Sequence, residues 1–273
     1  MNSTTAGEPR VSVVAPVHNE AQNVDRLIEE IHAALESACE FEVVFVDDAS
    51  SDATSERLRV LGERFPRLRL LRHRTRCGQS SALATGVRHA HGRLIATLDG
   101  DGQNDPADLP ALLAAWTRES ARGPAPLLLA GWRATRRDTW LRRVSSRVAN
   151  GVRSRLLGDA TPDTGCGLKV FERDAFLSLP FFDHMHRFLP ALFIRQGGRV
   201  VSVPVRHRPR VAGVSHYGVW NRLWVGIVDL AGVAWLRRRM VLVAADEVTP
   251  ESPRAASADP RLRAPATEVE WRA

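Results

Sequence analysis

The stretch Leu94-Ile95-Ala96-Thr97-Leu98-Asp99-Gly100-Asp101-Gly102-Gln103 decides the fold of this chain. Its apolar half has the length and β-branched content of a buried strand, so the two carboxylates come where that strand ends. Side chains two apart in an extended chain point to the same side, so Asp99 and Asp101 can converge on one point. Two carboxylates and an amide oxygen are hard ligands that suit Mg²⁺ or Mn²⁺. Asp-Gly is also a strong turn signal, and the pentapeptide alone fits a pair of turns equally well.

Two earlier apolar runs also end in polar residues. One covers 11–15 and leads into Pro16-Val17-His18-Asn19-Glu20, and the other covers 41–46 and leads into Asp47-Asp48-Ala49-Ser50-Ser51-Asp52. Helical patterns separate the runs, so the chain alternates as βαβαβαβ, which predicts an α/β fold with a mostly parallel sheet flanked by helices. Ligands of such open sheets bind beyond the carboxyl ends of the strands. A turn or helix N-cap explains each polar end alone, but three ends with a metal-type pair among them favour a nucleotide site.

Three of these segments together resemble the signature of family 2 inverting glycosyltransferases, which have the Rossmann-like GT-A fold: Val14–Glu20, Val46–Asp52 and Asp99–Pro106. The most similar branch is that of the polyprenyl-phosphate sugar transferases, the dolichol-phosphate mannose synthase-like enzymes. Four later segments resemble further motifs of this branch: Ala130–Arg133, Arg142–Asn150, Asp163–Phe171 and Arg210–Gly218. The resemblance runs from about Val11 to Arg239, and its motifs occur in the family's order.

The resemblance implies the roles of individual residues. It places the donor on Pro16, Val17, Glu20, Asp48, Asp99, Gly100, Asp101, Arg133, Arg210 and His216. It places the metal on Asp99, Asp101 and Gln103, the acceptor phosphate on Arg142, Ser146 and Arg147, and catalytic roles on Asp101, Asp163 and Arg210. His216 stands where the family has a lysine, so this arm of the loop over the diphosphate is expected to be only partly charged at pH 7.

The implied reaction transfers a sugar, with GDP-mannose as the default donor, from a nucleotide diphosphate to a polyprenyl phosphate. A phosphate oxygen is already anionic near neutral pH, so Asp163 is expected to organise the acceptor arginines or the metal shell rather than to act as a strong base. Two alternatives stay open. One is a GT-A enzyme that uses a UDP-sugar and a soluble or glycan acceptor, and the other is a nucleotide-sugar binding module without catalysis.

Composition is compatible with anionic partners. The 273 residues carry a formal net charge of +7, which fits nucleic acid, an anionic membrane surface or anionic substrates. Zinc-ligand spacing and RNA-binding aromatic motifs are absent from the sequence, so nucleic acid is not an expected partner. The three cysteines are scattered and suggest neither a zinc site nor a disulfide framework, so a reduced cytoplasm is the simplest setting.

The late segment Leu223–Leu236 predicts a membrane-surface helix. Its fourteen residues are too few for a spanning helix, which needs about 20. Tryptophans near both ends (Trp220, Trp224 and Trp235) and the arginines at 237–239 favour a helix at the interface, although a buried helix is the alternative. Residues 136–157 form a second amphipathic candidate.

We therefore expect a flexible N-terminus over 1–10, without a secretory signal, and a GT-A domain over 11–218. A membrane-interface region over 219–243 and a disordered tail over 244–273 should follow. The expected location is peripheral, on the cytoplasmic face of a membrane, with a separate membrane protein as a further candidate partner.

Overall fold

The structure is a computed structural model that describes residues 10–133, 151, 153–209 and 219–239, of which 219–225 are described by backbone alone. Five of the predicted site residues lie outside these ranges: Arg142, Ser146, Arg147, Arg210 and His216. The predicted N-terminal segment and C-terminal tail also lie almost wholly outside the described residues.

Seven strands form one mixed sheet in the order β3-β2-β1-β4-β6-β5-β7. Their bounds are β1 Val11–Val17, β2 Phe41–Asp47, β3 Leu68–Arg72, β4 Leu94–Thr97, β5 Leu127–Arg133, β6 Lys169–Glu172 and β7 Arg199–Val205. Strand β6 runs antiparallel to both of its neighbours, whereas the other paired strands are parallel. The predicted mostly parallel α/β sheet is confirmed.

Helices cover both faces of this sheet. Their bounds are α1 Val24–Leu35, α2 Thr54–Arg64, α3 Gln79–His89, α4 Leu109–Ser120, α5 Arg173–Leu177, α6 Leu189–Arg195 and α7 Val219–Arg238. Short 3-10 helices cover Pro106–Asp108 and Met185–Arg187, and residues 153–157 are also helical. The seven residues of β2 are all buried, as expected for a strand covered on both faces.

Two hydrophobic clusters hold these layers together, one on each face of the sheet. The first includes the apolar stripe of α1, where Val24, Leu27, Ile28, Ile31 and Leu35 are all buried; their spacing places them on one side of the helix. The second includes α3 and α6. Helix α3 approaches the sheet closely, because a Cβ on Gly86 would overlap Val14 of β1.

Helix α7 has an inner and an outer side. Val233 is buried, and Leu230 and Ala234 pack against the second cluster. On the outer side Val228 and Trp235 are each 59% exposed. No helix in the described part of the chain combines the length and the apolar content that spanning a bilayer requires.

Candidate active site

A cleft of about 530 Å³ opens at the carboxyl ends of β1, β2 and β4. Parallel strands end at the same edge of a sheet, so polar groups far apart in the chain meet there. Seven of the ten residues predicted for the donor line this cleft: Pro16, Val17, Glu20, Asp48, Asp99, Gly100 and Asp101. Its volume is within the usual range for small-molecule sites, roughly 300–1,000 Å³.

The carboxylates of Asp99 and Asp101 each accept a hydrogen bond, one from helix α3 and one from the following turn. Gln79 Nε2 donates to Asp99 Oδ1 at 2.9 Å, and the backbone N–H of Gln103 donates to Asp101 Oδ1 at 3.1 Å. Burial, together with the charge of Asp101, raises the pKa of Asp99 to about 6. A divalent cation between the two side chains would relieve this repulsion, and oxygen ligands of this kind suit Mg²⁺ or Mn²⁺. The pair therefore fits the predicted metal.

Gln103, the third predicted metal ligand, has a different place. Its backbone contacts Asp101, and its carbonyl oxygen accepts from the backbone N–H of Arg208 at 3.0 Å. Its side chain does not belong to the described lining of the cleft. Metal ligation by Gln103 therefore stays a prediction, as do the roles of the other site residues.

Asp48 anchors the loop that follows β3. Its carboxylate accepts from the backbone N–H groups of Cys77 and Gly78 and from His73 Nδ1, each at 2.8 Å. Burial alone would raise the pKa of Asp48, but these three hydrogen bonds outweigh it and lower the pKa. Gly78 has φ of +88°, a conformation that glycine adopts without strain. Asp48, a predicted donor residue, therefore shapes this end of the cleft.

Asp48, His73 and Cys77 also have possible metal-ligating atoms within 4.8 Å of one another. The imidazole of His73 is already held between Asp48 and Thr85 Oγ1, at 2.8 and 2.9 Å. The Cys77 thiol donates to the carbonyl oxygen of Thr75 at 3.2 Å. Each of the three side chains therefore already has a hydrogen-bond partner within the protein.

Asp163 forms a two-pronged ion pair with Arg133. Arg133 Nε donates to Asp163 Oδ2 at 2.6 Å, and Nη2 donates to Oδ1 at 2.8 Å. These hydrogen bonds raise the pKa of Arg133. Both side chains lie close to Gly165, which lines the cleft, but neither residue belongs to its lining. Both oxygens of Asp163 accept from Arg133, a predicted donor residue, which disfavours a role as base; organisation of the acceptor arginines or the metal shell by Asp163 stays a prediction.

Lys169 is a cleft residue to which the sequence drew no chemical attention. It begins β6, pairs in register with Thr97 of β4 and is only 5% exposed. Its ammonium group donates to the carbonyl oxygen of Cys166. Burial lowers the pKa of Lys169, against the attraction of Cys166, Asp99 and Asp163. The one feature of the sequence that could have drawn attention to Lys169 is composition, because Lys169 is the one lysine of the chain.

His186 is a second cleft residue that the sequence did not single out. Its Nδ1 shares a 2.7 Å hydrogen bond with Ser80 Oγ, which joins the 3-10 helix at Met185–Arg187 to α3. Burial and the nearby positive charges of Arg187 and Lys169 lower the pKa of His186 to about 3, so the imidazole is neutral. His184 and His186 lie two apart in the sequence, a spacing that does not indicate a site.

Comparison with known proteins gives the family. The protein-family model described as "Glycosyl transferase family 2" matches residues 12–179 of this chain. Dodecaprenyl-phosphate galacturonate synthase of Rhizobium johnstonii is 36% identical over 233 residues, which cover 84% of this chain and 67% of that protein. Undecaprenyl-phosphate 4-deoxy-4-formamido-L-arabinose transferase of Edwardsiella ictaluri is 34% identical over 211 residues, which cover 77% and 63%. The chain belongs to glycosyltransferase family 2, and it spans about two thirds of the length of these relatives.

Solved structures agree on the fold. A mannosyltransferase from Pyrobaculum calidifontis in complex with GDP-Man and Mn²⁺ has a TM-score of 0.60 and 25% identity, over 85% of this chain and 65% of that one. Mannosyl-3-phosphoglycerate synthase from Rubrobacter xylanophilus has a TM-score of 0.61 and 18% identity, over 89% and 79%. The predicted GT-A fold is confirmed, and so is the resemblance to family 2; both curated relatives carry the names of polyprenyl-phosphate sugar transferases.

Proposed function

We propose that this chain is an inverting, metal-dependent glycosyltransferase that moves a sugar from a nucleotide diphosphate to a polyprenyl phosphate. The observation that carries the proposal is the pair Asp99 and Asp101 at the end of β4, inside a cleft lined by most of the predicted donor residues. Family membership supports the reaction type, and the names of the two curated relatives support the acceptor.

Asp99 and Asp101, with Gln103 as the predicted third ligand, would hold Mg²⁺ or Mn²⁺. The cation would supply positive charge for the leaving diphosphate, the kind of preorganised electrostatic stabilisation that dominates many enzymes. The Mn²⁺ in the similar mannosyltransferase structure supports a divalent cation here. Arg133, oriented by Asp163, and the predicted Arg210 and His216 would add charge on the same side.

The acceptor would attack from the opposite face of the sugar. A phosphate oxygen of the polyprenyl lipid forms the new bond to the anomeric carbon while the bond to the nucleotide diphosphate breaks, so the anomeric configuration inverts. The phosphate is already anionic, which removes the need for a strong base; this is consistent with both Asp163 oxygens being bonded to Arg133. Arg142, Ser146 and Arg147 are our candidates for binding the acceptor phosphate.

The identity of the transferred sugar is the most specific part of the proposal. GDP-mannose is our default donor, supported by GDP-Man in the similar mannosyltransferase. The curated relatives are named for galacturonate and for formamido-arabinose. Nucleotide-linked uronic acids and amino sugars are therefore the donors to compare with it.

We further propose a peripheral location on the cytoplasmic face of a membrane. A polyprenyl acceptor resides in a bilayer, so the enzyme must reach its surface. The outer side of α7 offers exposed apolar side chains next to Arg238 and Arg239, the combination that favours a helix lying at an interface. A separate membrane protein stays a candidate partner.

One experiment separates this proposal from its alternative, a UDP-sugar enzyme with a soluble or glycan acceptor. Purified protein is incubated with Mn²⁺ and a panel of labelled nucleotide sugars: GDP-mannose, UDP-glucose, UDP-galacturonate and a UDP-linked amino-arabinose. Each is offered with polyprenyl phosphate, with the matched polyprenol, or with a soluble phosphorylated acceptor. We expect one label to enter the organic phase only when polyprenyl phosphate is present. Transfer to the soluble acceptor alone would favour the alternative.

A further inference from the structure

The ammonium group of Lys169 is an unusual feature of the cleft floor. It is almost fully buried, and among the described residues no carboxylate lies within ion-pair distance of it. Its one hydrogen bond among those residues goes to a neutral group, the carbonyl oxygen of Cys166. A buried charge is costly unless other charges or a ligand compensate it. Burial lowers the pKa of Lys169, so a lysine kept in this position points to a role toward what the cleft binds.

The nearest charged groups show what Lys169 can act on. Lys169 pairs in register with Thr97, two residues before Asp99, and Lys169, Asp99 and Asp101 all line the same cleft. The attraction between Lys169 and Asp99 contributes to the pKa shifts of both groups. The negative charge of Asp163 is largely offset by the positive charge of Arg133, with which it forms an ion pair. Lys169 thus shares the cleft with two carboxylates, and charges interact more strongly in a protein than in water, at an effective dielectric constant of about 20 rather than 80.

We propose that Lys169 is a fixed counter-charge to Asp99 and Asp101, which makes this cleft bind its divalent cation together with a nucleotide diphosphate rather than alone. The inference rests on the proposed metal site. Lys169 repels a bare cation that approaches the two carboxylates. It attracts the phosphate oxygens of a nucleotide diphosphate that carries the cation. The charge of Lys169 therefore opposes binding of the cation alone and favours binding of the cation together with the diphosphate.

Lys169→Gln tests this, because glutamine keeps a donor for the Cys166 carbonyl and loses the charge. Isothermal titration at pH 7.5 measures Mn²⁺ alone, and then GDP and UDP in the presence of saturating Mn²⁺. We expect Lys169→Gln to bind Mn²⁺ alone at least about tenfold more tightly than the wild-type protein does. Whichever of GDP and UDP the wild-type protein binds more tightly should bind to Lys169→Gln at least about tenfold more weakly. Lys169→Arg, which keeps the charge, should restore both affinities toward the wild-type values.

Arg93→Gln is the matched control. It makes the same change in net charge at an exposed ion pair with Glu172, at the opposite end of β4 from the cleft. Both affinities should stay at the wild-type values in this variant. An effect of equal size there would show that overall charge, and not the position of Lys169, controls binding, and would overturn the inference.

Other outcomes separate the inference from the function on which it rests. Mn²⁺ binding that is unchanged or weaker in Lys169→Gln would overturn the counter-charge role. Mn²⁺ binding that is equally tight in wild type and Asp101→Asn would instead show that the metal site is assigned wrongly. Circular dichroism checks folding, and Lys169→Met is the second variant if glutamine is not tolerated. If neither folds, wild-type protein that binds Mn²⁺ equally tightly with and without GDP or UDP contradicts the proposal.

Discussion

The carboxyl group of Asp99 occupies the space that a side chain on Gly167 would need. A Cβ placed on Gly167 would overlap both oxygens and the carboxyl carbon of Asp99. The segment 164–167 can therefore line the cleft beside Asp99 only because position 167 has no side chain. This links a glycine with no chemistry of its own to the geometry of the proposed metal site.

We predict that Gly167→Ala lowers kcat/KM for sugar transfer by at least about tenfold, because displacing a catalytic group by about 1 Å can cost about a hundredfold. The displaced atoms are the end of one side chain, so the thermal unfolding midpoint should change little. Gly62→Ala in α2 is the control: the nearest atom to its new Cβ is Leu68 Cδ2 at 3.8 Å, an ordinary contact. Wild-type transfer by Gly167→Ala would show that the position of Asp99 does not matter.

Side chains that hydrogen-bond to three of the site carboxylates lie far from them in the sequence. Asp48, Asp99 and Asp163 were each singled out from their motifs, but the side chains that hydrogen-bond to them were not predicted as their partners. His73 lies 25 residues from Asp48, and Arg133 lies 30 residues from Asp163. Such partners depend on how strands are placed side by side, which local pattern does not specify.

Helix α7 combines a packed side with an exposed apolar one. The structure therefore supports parts of both sequence interpretations, a buried helix and an interfacial helix. The side chains of Trp220 and Trp224 lie outside the described residues, so the predicted anchor at that end is untested. Trp235, at the other end, is exposed next to the final arginines.

We predict that Val228→Asp and Trp235→Glu each reduce co-sedimentation with vesicles that contain anionic lipid, by at least about threefold. Each change places a negative charge on the apolar side that would contact the lipid. Both positions are exposed, so the free energy of unfolding should stay within about 0.5 kcal/mol of the wild-type value. Val60→Asp on α2 is the control, because Val60 is a similarly exposed valine, at 49%, on another helix. Vesicle binding that does not differ among the three variants would contradict docking through α7.

Across the whole molecule, the strands and helices up to β4 follow the pattern predicted from the sequence, whereas the arrangement of the later strands was not predicted. The alternation up to β4 was predicted because parallel strands covered on both faces are nearly continuous apolar runs. Strand β6 was not predicted as a strand, and nothing local shows that it inserts between β4 and β5 with reversed direction. That insertion places Lys169 and Gly167 beside Asp99.

The central claim is that the Asp99–Asp101 pair supports sugar transfer to a polyprenyl phosphate. Asp101→Asn tests it most directly, because the amide keeps the shape of the side chain and removes the charge that would face the cation. With the donor identified in the panel, polyprenyl phosphate and saturating Mn²⁺, we predict that transfer of label into the organic phase falls at least about a hundredfold. The unfolding midpoint in EDTA should not change. An Asp101→Asn enzyme that keeps most of the wild-type turnover at saturating Mn²⁺ would contradict this account.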